Sequence, residues 1–150
     1  YIIRVLIYDG AKVNVIDKFG KTPLYYACER GHIKNLVVLF VQSVDEEVKT
    51  SVNNCPIRPL HIVCQANYDT FRKIEIIEYL TKNGEDINCQ HRYFGYTPLH
   101  VAVQKDSHML VSYLLNSGAN PEIRQTTGQL PQYFAKSDEI RGLFSKYCLK

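Results

Sequence analysis

The chain has 150 residues, 45% of them hydrophobic and 22% charged, with a formal net charge of +3. This is the balance of a globular domain long enough to bury a core, and it argues against a disordered segment. The longest apolar run, Leu36 to Val41, is far short of the roughly 20 residues of a spanning helix. Acidic and basic residues alternate without the basic stripe expected of a nucleic-acid binder.

Tyr1 opens straight into an apolar stretch, YIIRVLIY, with no charged-then-apolar signal before it, which reads as a chain cut from a longer one. VLIYDGAKVN (Val5–Asn14) is the end of a helix, stopped by Gly10 as a left-handed C′ residue. KTPLYYAC (Lys21–Cys28) starts the next helix. Thr22 is its N-cap and Pro23 stands at N1, where a missing N–H costs nothing. Leu24, Ala27 and Cys28, spaced i, i+3, i+4, form one apolar stripe of mostly small residues. A second helix follows GHIKNL (Gly31–Leu36) and carries Leu36 and Leu39. Asp45, Glu46 and Glu47 are consecutive in a connection and read as a solvated turn, not an acid–base pair.

IRPLHIVC (Ile57–Cys64) repeats the helix-opening phrase, with Arg58 where the capping threonine stood. QANYDTFRK (Gln65–Lys73) and a second helix with Ile77 and Leu80 come next, closing at Gly84 in EYLTKNGEDIN. The third copy, YTPLHVAV (Tyr96–Val103), caps with Thr97 and Pro98, continues through Val111 and Leu114, and closes at Gly118. QLPQYFAK (Gln129–Lys136) is a degraded fourth copy, with Gln132 in the leucine slot and Lys136 in a small apolar one.

The prolines Pro23, Pro59, Pro98 and Pro131 are 36, 39 and 33 residues apart. Pro98 to Gly118 is 20 residues but Pro59 to Gly84 is 25, so five extra residues lie between the helices of that copy, around Ala66–Lys73. They are expected to be a tolerated loop, since long inserts cost little; Tyr68, Phe71, Arg72 and Lys73 as a side wall to a groove is the alternative. Gly84 to Pro98 is 14 residues, against 13 for Gly10–Pro23 and Gly118–Pro131. Such surpluses fall between helices, where chains tolerate them. One helix pair cannot bury its own faces and must stack on copies of itself, with a polar last repeat as cap. The fold class is therefore all-α.

Catalytic and metal-binding patterns are sparse. Cys55, His61, Cys64, Cys89 and His91 can be sketched as zinc ligands, but their spacing fits no common zinc pattern. Cys28 and Cys64 fill equivalent small-residue slots as packed thiols. Adjacent helices roughly 8–10 Å apart hold such a pair beyond disulfide reach, about 7 Å between Cα atoms. Five cysteines without a CxxC pair point to a reducing compartment, cytoplasm or nucleus. No phosphate-cradling glycine loop, Walker lysine, GxSxG or HExxH occurs. The reading is a non-enzyme without metal or cofactor.

GYTPLHVAV and GKTPLYYAC, with GHIKNL, GAKVN and GEDIN, resemble the ankyrin repeat family over essentially the whole chain. Arg58 for threonine, Pro56 for the hairpin glycine and Tyr25 for histidine depart from its pattern, so the hairpin before Pro59 is expected to be irregular. The resemblance implies a solenoid of about four stacked helix-turn-helix units with protruding β-hairpin or loop fingers. It divides one domain, 1–150, into a partial repeat at 1–14, repeats at about 15–48, 49–88 and 89–122, and a C-terminal cap at 123–150. It implies that His61 and His100 tie a helix start to the neighbouring loop, and gives His32 a structural role at a second-helix opening. It also implies a monomer that binds a protein or peptide on its concave surface, without nucleic acid or membrane insertion. Carried over by position, that surface holds Phe19, Lys21, Arg30, Tyr93, Phe94, Tyr96, Lys105 and Arg124. Lys18, Glu29, Asn54, Ile57, Gln65, Gln104, Thr126, Thr127 and Gln129 lie beside them. The aromatics are the expected anchors, since interfaces enrich tyrosine, phenylalanine and arginine; the alternative is that one or two of these rings fold back and pack on their own hairpin.

Overall fold

The computed structural model describes residues 2–42 and 58–147. Ser43, Asp45–Glu47, Asn54, Cys55, Pro56, Ile57 and Cys148 lie outside the described residues. The helices are α1 (Ile2–Tyr8), α2 (Pro23–Arg30), α3 (Ile33–Gln42), α4 (Pro59–Gln65) and α5 (Thr70–Lys82). After them come α6 (Pro98–Gln104), α7 (His108–Asn116), a 3₁₀ turn (Pro131–Phe134) and α8 (Asp138–Tyr147).

Helices of seven or eight residues such as α2, α4 and α6 are too short to stand alone in water, so packing must hold them. They form one row, α2 on α4, α4 on α6, and α6 on the 3₁₀ turn. A second row runs α5 on α7 and α7 on α8, with Phe40 of α3 meeting Tyr79 of α5 edge to face at 6.1 Å. Leu60, Val63, Cys64, Leu99, Ala102 and Val103 are almost wholly buried between the rows. Each buried leucine is worth about 2 kcal/mol. Every residue from Pro59 to Cys64 and from Pro98 to Val103 is buried, so these helices are scaffold almost to their last residue.

The caps follow the sequence. Thr22 Oγ1 accepts from the Tyr25 N–H at 3.2 Å. Thr97 Oγ1 accepts from the His100 N–H, and His100 Nδ1 accepts back from the Thr97 N–H at 3.0 Å. Arg58 makes no such bond. Thr97→Ala is therefore expected to cost about 1 kcal/mol in chemical denaturation, and no less than Thr22→Ala, because it also removes the contact of Thr97 Oγ1 with His100 Nδ1 at 2.9 Å.

One alternative is decided and one expectation changes. Among the described residues there is no strand. The fingers are turns closed by single backbone bonds, Asp17 N–H to Lys21 O, His91 N–H to Tyr96 O and Gln125 N–H to Gln129 O, at 2.8 to 3.1 Å. With no ladder to continue, the described fingers take the loop form of the expected β-hairpin or loop.

The insertion, expected as a loop, is mostly helix. Only Ala66–Asp69 connect the helices, because Asp69 accepts from the Arg72 N–H at 2.9 Å and starts α5 at Thr70. The surplus becomes extra helix, 13 residues against 10 in α3 and 9 in α7. Tyr68 packs back on the preceding unit, its hydroxyl donating to Cys28 O at 2.9 Å. Lys73, 6% exposed, donates to Cys64 O at 3.2 Å, meeting one of the carbonyls that the end of α4 leaves unpaired.

The last copy forms a 3₁₀ turn in place of an α-helix, with Gln132 and Lys136 exposed. Ile140, Leu143 and Phe144 of α8 are buried at this end of the stack.

Candidate functional site

The fingers are built alike from one corner residue each: Asp17, His91 and Gln125. Asp17 Oδ1 accepts from the Phe19 and Lys21 N–H groups at 2.8 and 3.0 Å, bracing its own turn. His91 Nδ1 does the same for Tyr93 and Phe94, at 3.2 and 3.3 Å. The glycine in each turn donates back to the corner carbonyl, Gly20 to Asp17, Gly95 to His91 and Gly128 to Gln125. In the His91 finger that bond spans one residue more, so the surplus between Gly84 and Pro98 sits in the turn itself.

His91 is 4% exposed. Its ring stacks on Tyr96 with centroids 4.5 Å apart and on Phe94 at 5.1 Å. His61 approaches Tyr96 edge-on at 5.2 Å and donates from Nε2 to Tyr96 O at 2.9 Å. His100 Nε2 makes the matching tie to Gln129 O at 3.3 Å. Each histidine thus joins its own helix start to the next finger. Burial depresses His61 to about 4 and also lowers His91 and His100, so all three rings are neutral at pH 7.

The next finger is tied to this one. Phe94 O accepts from Thr126 N–H at 3.0 Å and from its hydroxyl at 3.2 Å. The Gln90 side-chain amide reaches both Gly95 O and Arg124 O. Gly95 has φ 66°, and a Cβ there would meet Thr126 N at 3.1 Å. The two fingers therefore form one braced platform, with Tyr93 and Phe94 63% and 59% exposed on it.

The structure divides the residues expected at the site into three groups. Tyr93, Phe94 and Arg124 stand on this platform, and Tyr96 is half-buried beneath it. Phe19, 70% exposed, stands on the first finger beneath the Lys18 ammonium, 5.0 Å from its ring centroid. Lys21 is half-buried and engaged, lying 4.2 Å from the Tyr25 ring and 3.5 Å from Glu29. It serves its own finger more than a ligand. Arg30 and Lys105 lie exposed at the far ends of α2 and α6, and Lys105 Nζ meets Asn67 of the insertion at 3.4 Å. His32 is exposed, and its backbone N–H donates to Ala27 O.

His91 is the residue whose role sequence reasoning missed, having considered it only in a metal-ligand set that its spacing ruled against. The available signal was its position, the corner that Asp17 and Gln125 occupy. Cys89 Sγ lies 3.9 Å from His61 Nδ1, with the thiol held protonated by burial, its pKa pushed up to about 12. Among the described residues no three metal-ligating side chains converge. Cys28, Cys64 and Cys89 are free thiols.

The family model for ankyrin repeats (3 copies) matches residues 1–91 and again 33–125. The chain belongs to the ankyrin-repeat family. Ankyrin repeats are a protein-interaction module, generally a non-catalytic one. The chain is 40% identical over 68 residues to human ankyrin repeat domain-containing protein 40, covering 45% of this chain and 18% of that protein. It is 28% identical over 136 residues to the nuclear factor NF-kappa-B p105 subunit of Gallus gallus, 89% of this chain and 13% of that one. It is 30% identical over 122 residues to the I-Kappa-B like protein I1 of Microplitis demolitor bracovirus, 79% and 72% of the two chains. The chain thus spans 13 to 20% of the first curated relatives it matches. Among the described residues, no helix of this ankyrin domain is long and apolar enough to cross a membrane.

Proposed function

We propose that this ankyrin domain is a non-catalytic docking module that binds a partner protein or peptide on its fingers and the exposed far ends of α2, α4 and α6. The observation behind this is the pair of exposed rings, Tyr93 and Phe94, on a turn braced from both sides. A ring held in place before binding loses little freedom on binding, which favours affinity. Phe19 supplies a third exposed ring two units earlier.

Replacing Phe19, Tyr93 and Phe94 together by alanine tests the reading in a pull-down from cell extract followed by titration of the captured partner. Capture should weaken about thirtyfold, since buried aromatic anchors carry most interface energy. Unfolding free energy should stay within about 1 kcal/mol, as for exposed positions generally. Unchanged capture would show that the partner sits elsewhere.

A second reading places the domain inside a longer adaptor or regulator of the cytoplasm or nucleus, such as a transcription-factor inhibitor or a ubiquitin-ligase substrate receptor. Its support is the likeness to the NF-kappa-B p105 subunit and to an I-Kappa-B like protein. The full-length chain decides it, by whether an effector segment flanks the repeats.

A further inference from the structure

Three of the four ion pairs among the described residues lie on the second row, where Lys34 and Lys146 nevertheless have none. On the second row, Lys82 bonds Glu78 at 2.7 Å, Arg141 bonds Asp138 at 2.6 Å, and Arg72 lies 3.7 Å from Asp69. Among the described residues of the fingers and helix ends, only Lys21 has a carboxylate partner, Glu29. Among the described residues Lys18, Arg30, Arg92, Lys105 and Arg124 form no ion pair. Lys18 and Arg92 lie instead over the rings of Phe19 and Tyr93, at 5.0 and 5.9 Å. Phe19 and Tyr93 therefore each carry a cation that forms no ion pair among the described residues, while Phe94 stacks on His91.

The spacing of the anchors adds a length. Phe19 precedes α2 and Phe94 precedes α6, with α4 packed between them. Two helix spacings are roughly 16–20 Å, which an extended strand at about 3.3 Å per residue crosses in roughly five or six residues.

We infer that the fingers take an extended acidic peptide with two apolar anchors roughly five or six residues apart. One anchor seats at Phe19 and the other at Tyr93 and Phe94, with Asp or Glu side chains meeting Lys18 and Arg92. The inference rests on the docking function proposed above and names the chemistry of its partner. Single-stranded nucleic acid, which also favours rings beside cations, fits less well. Phe94 and Tyr96 are already stacked with His91, and Phe19 and Tyr93 each have a cation over the ring.

The test is selection from a displayed library of random twelve-residue peptides, on wild type and on the Phe19, Tyr93, Phe94 alanine variant. The expected wild-type pool is net negative, with two apolar positions five or six apart, and is lost on the variant. A synthetic member of that pattern should bind at least about tenfold tighter than the same peptide with lysine for each carboxylate. It should weaken about tenfold in a Lys18→Glu/Arg92→Glu variant, as opposed charges at a rim become like charges. A neutral or basic pool, or tighter binding of a single-stranded oligonucleotide of equal charge, would overturn the inference. If both proteins enrich the same pool, the finger-docking function itself falls. If the pool depends on the fingers but is not acidic, only the present inference falls.

Discussion

Lowering the pH from 7.5 to 4 is expected to remove about 3 kcal/mol of stability through His61 alone. Its pKa falls from 6.5 to about 4 on folding, and each unit corresponds to about 1.36 kcal/mol. The first cause is burial, opposed by the bond to Tyr96 O and reinforced by repulsion from His91, Arg58 and His100. A depressed folded pKa means that the unfolded chain takes up the proton first as pH falls. The contribution is complete above about 6.5 and is lost as pH drops toward about 4. His91 and His100 shift in the same direction. Their Nδ1 atoms accept backbone N–H groups, and protonation would set a second hydrogen against those donors.

Two carboxyls modify this profile. Glu85, raised by burial, has the opposite sign, so acid relieves it and offsets part of the loss. Asp17 is held below the usual carboxylate range, first by the Tyr26 hydroxyl at 2.6 Å, and its contribution is lost only at lower pH. Urea unfolding at constant ionic strength between pH 7.5 and 4 measures the effect. His61→Gln, which keeps a donor for Tyr96 O, should flatten the dependence by about 3 kcal/mol. Equal slopes in variant and wild type would remove His61 as the cause. A loss of this size matters in a domain whose whole margin is about 5–15 kcal/mol.

Gly31→Ala should cost about 2–3 kcal/mol. Gly31 ends α2 at φ 67°, a conformation in which any L side chain costs about 1–2 kcal/mol. A Cβ there would also lie 2.9 Å from Arg72 Cδ and 3.1 Å from the Tyr68 ring. Arg72 can swing aside. Tyr68 cannot without giving up its bond to Cys28 O, worth about 1 kcal/mol. The two parts separate in a double-mutant cycle. In a Tyr68→Ala background, Gly31→Ala should retain only the backbone share, about 1–2 kcal/mol. Strict additivity would show that the insertion does not press on the preceding unit.

Much of the scaffold was legible in the residues. The recurring proline phrase located α2, α4, α6 and the degraded 3₁₀ turn, because a proline at N1, joined by a threonine cap at α2 and α6, is local chemistry. Gly10, Gly84 and Gly118 all have positive φ, as a left-handed helix end requires. The His100 tie was expected from its distance to Thr97 and from the family likeness. Counting residues also found the surplus after Gln65, but a count does not say what form extra residues take. Asp69 before a helical pattern was the signal that most of them become helix, and it was overlooked.

The site was less legible. Exposure of Phe19, Tyr93 and Phe94 followed from their place on the turns, whereas the half-burial of Lys21 and Tyr96 did not. Both depend on rings brought to them: Tyr25 and Tyr26 against Lys21, His61 and His91 against Tyr96.

By itself the sequence determined the helix pairs, their order and their need to stack, because caps, breakers and apolar stripes act over three or four residues. Which rings stay in solvent and that Tyr68 locks onto the preceding unit were decided only by the tertiary structure. Those outcomes rest on contacts such as Tyr68 with Cys28 and His61 with Tyr96, 40 and 35 residues apart in the chain. No local pattern encodes them, since they exist only once neighbouring units have packed.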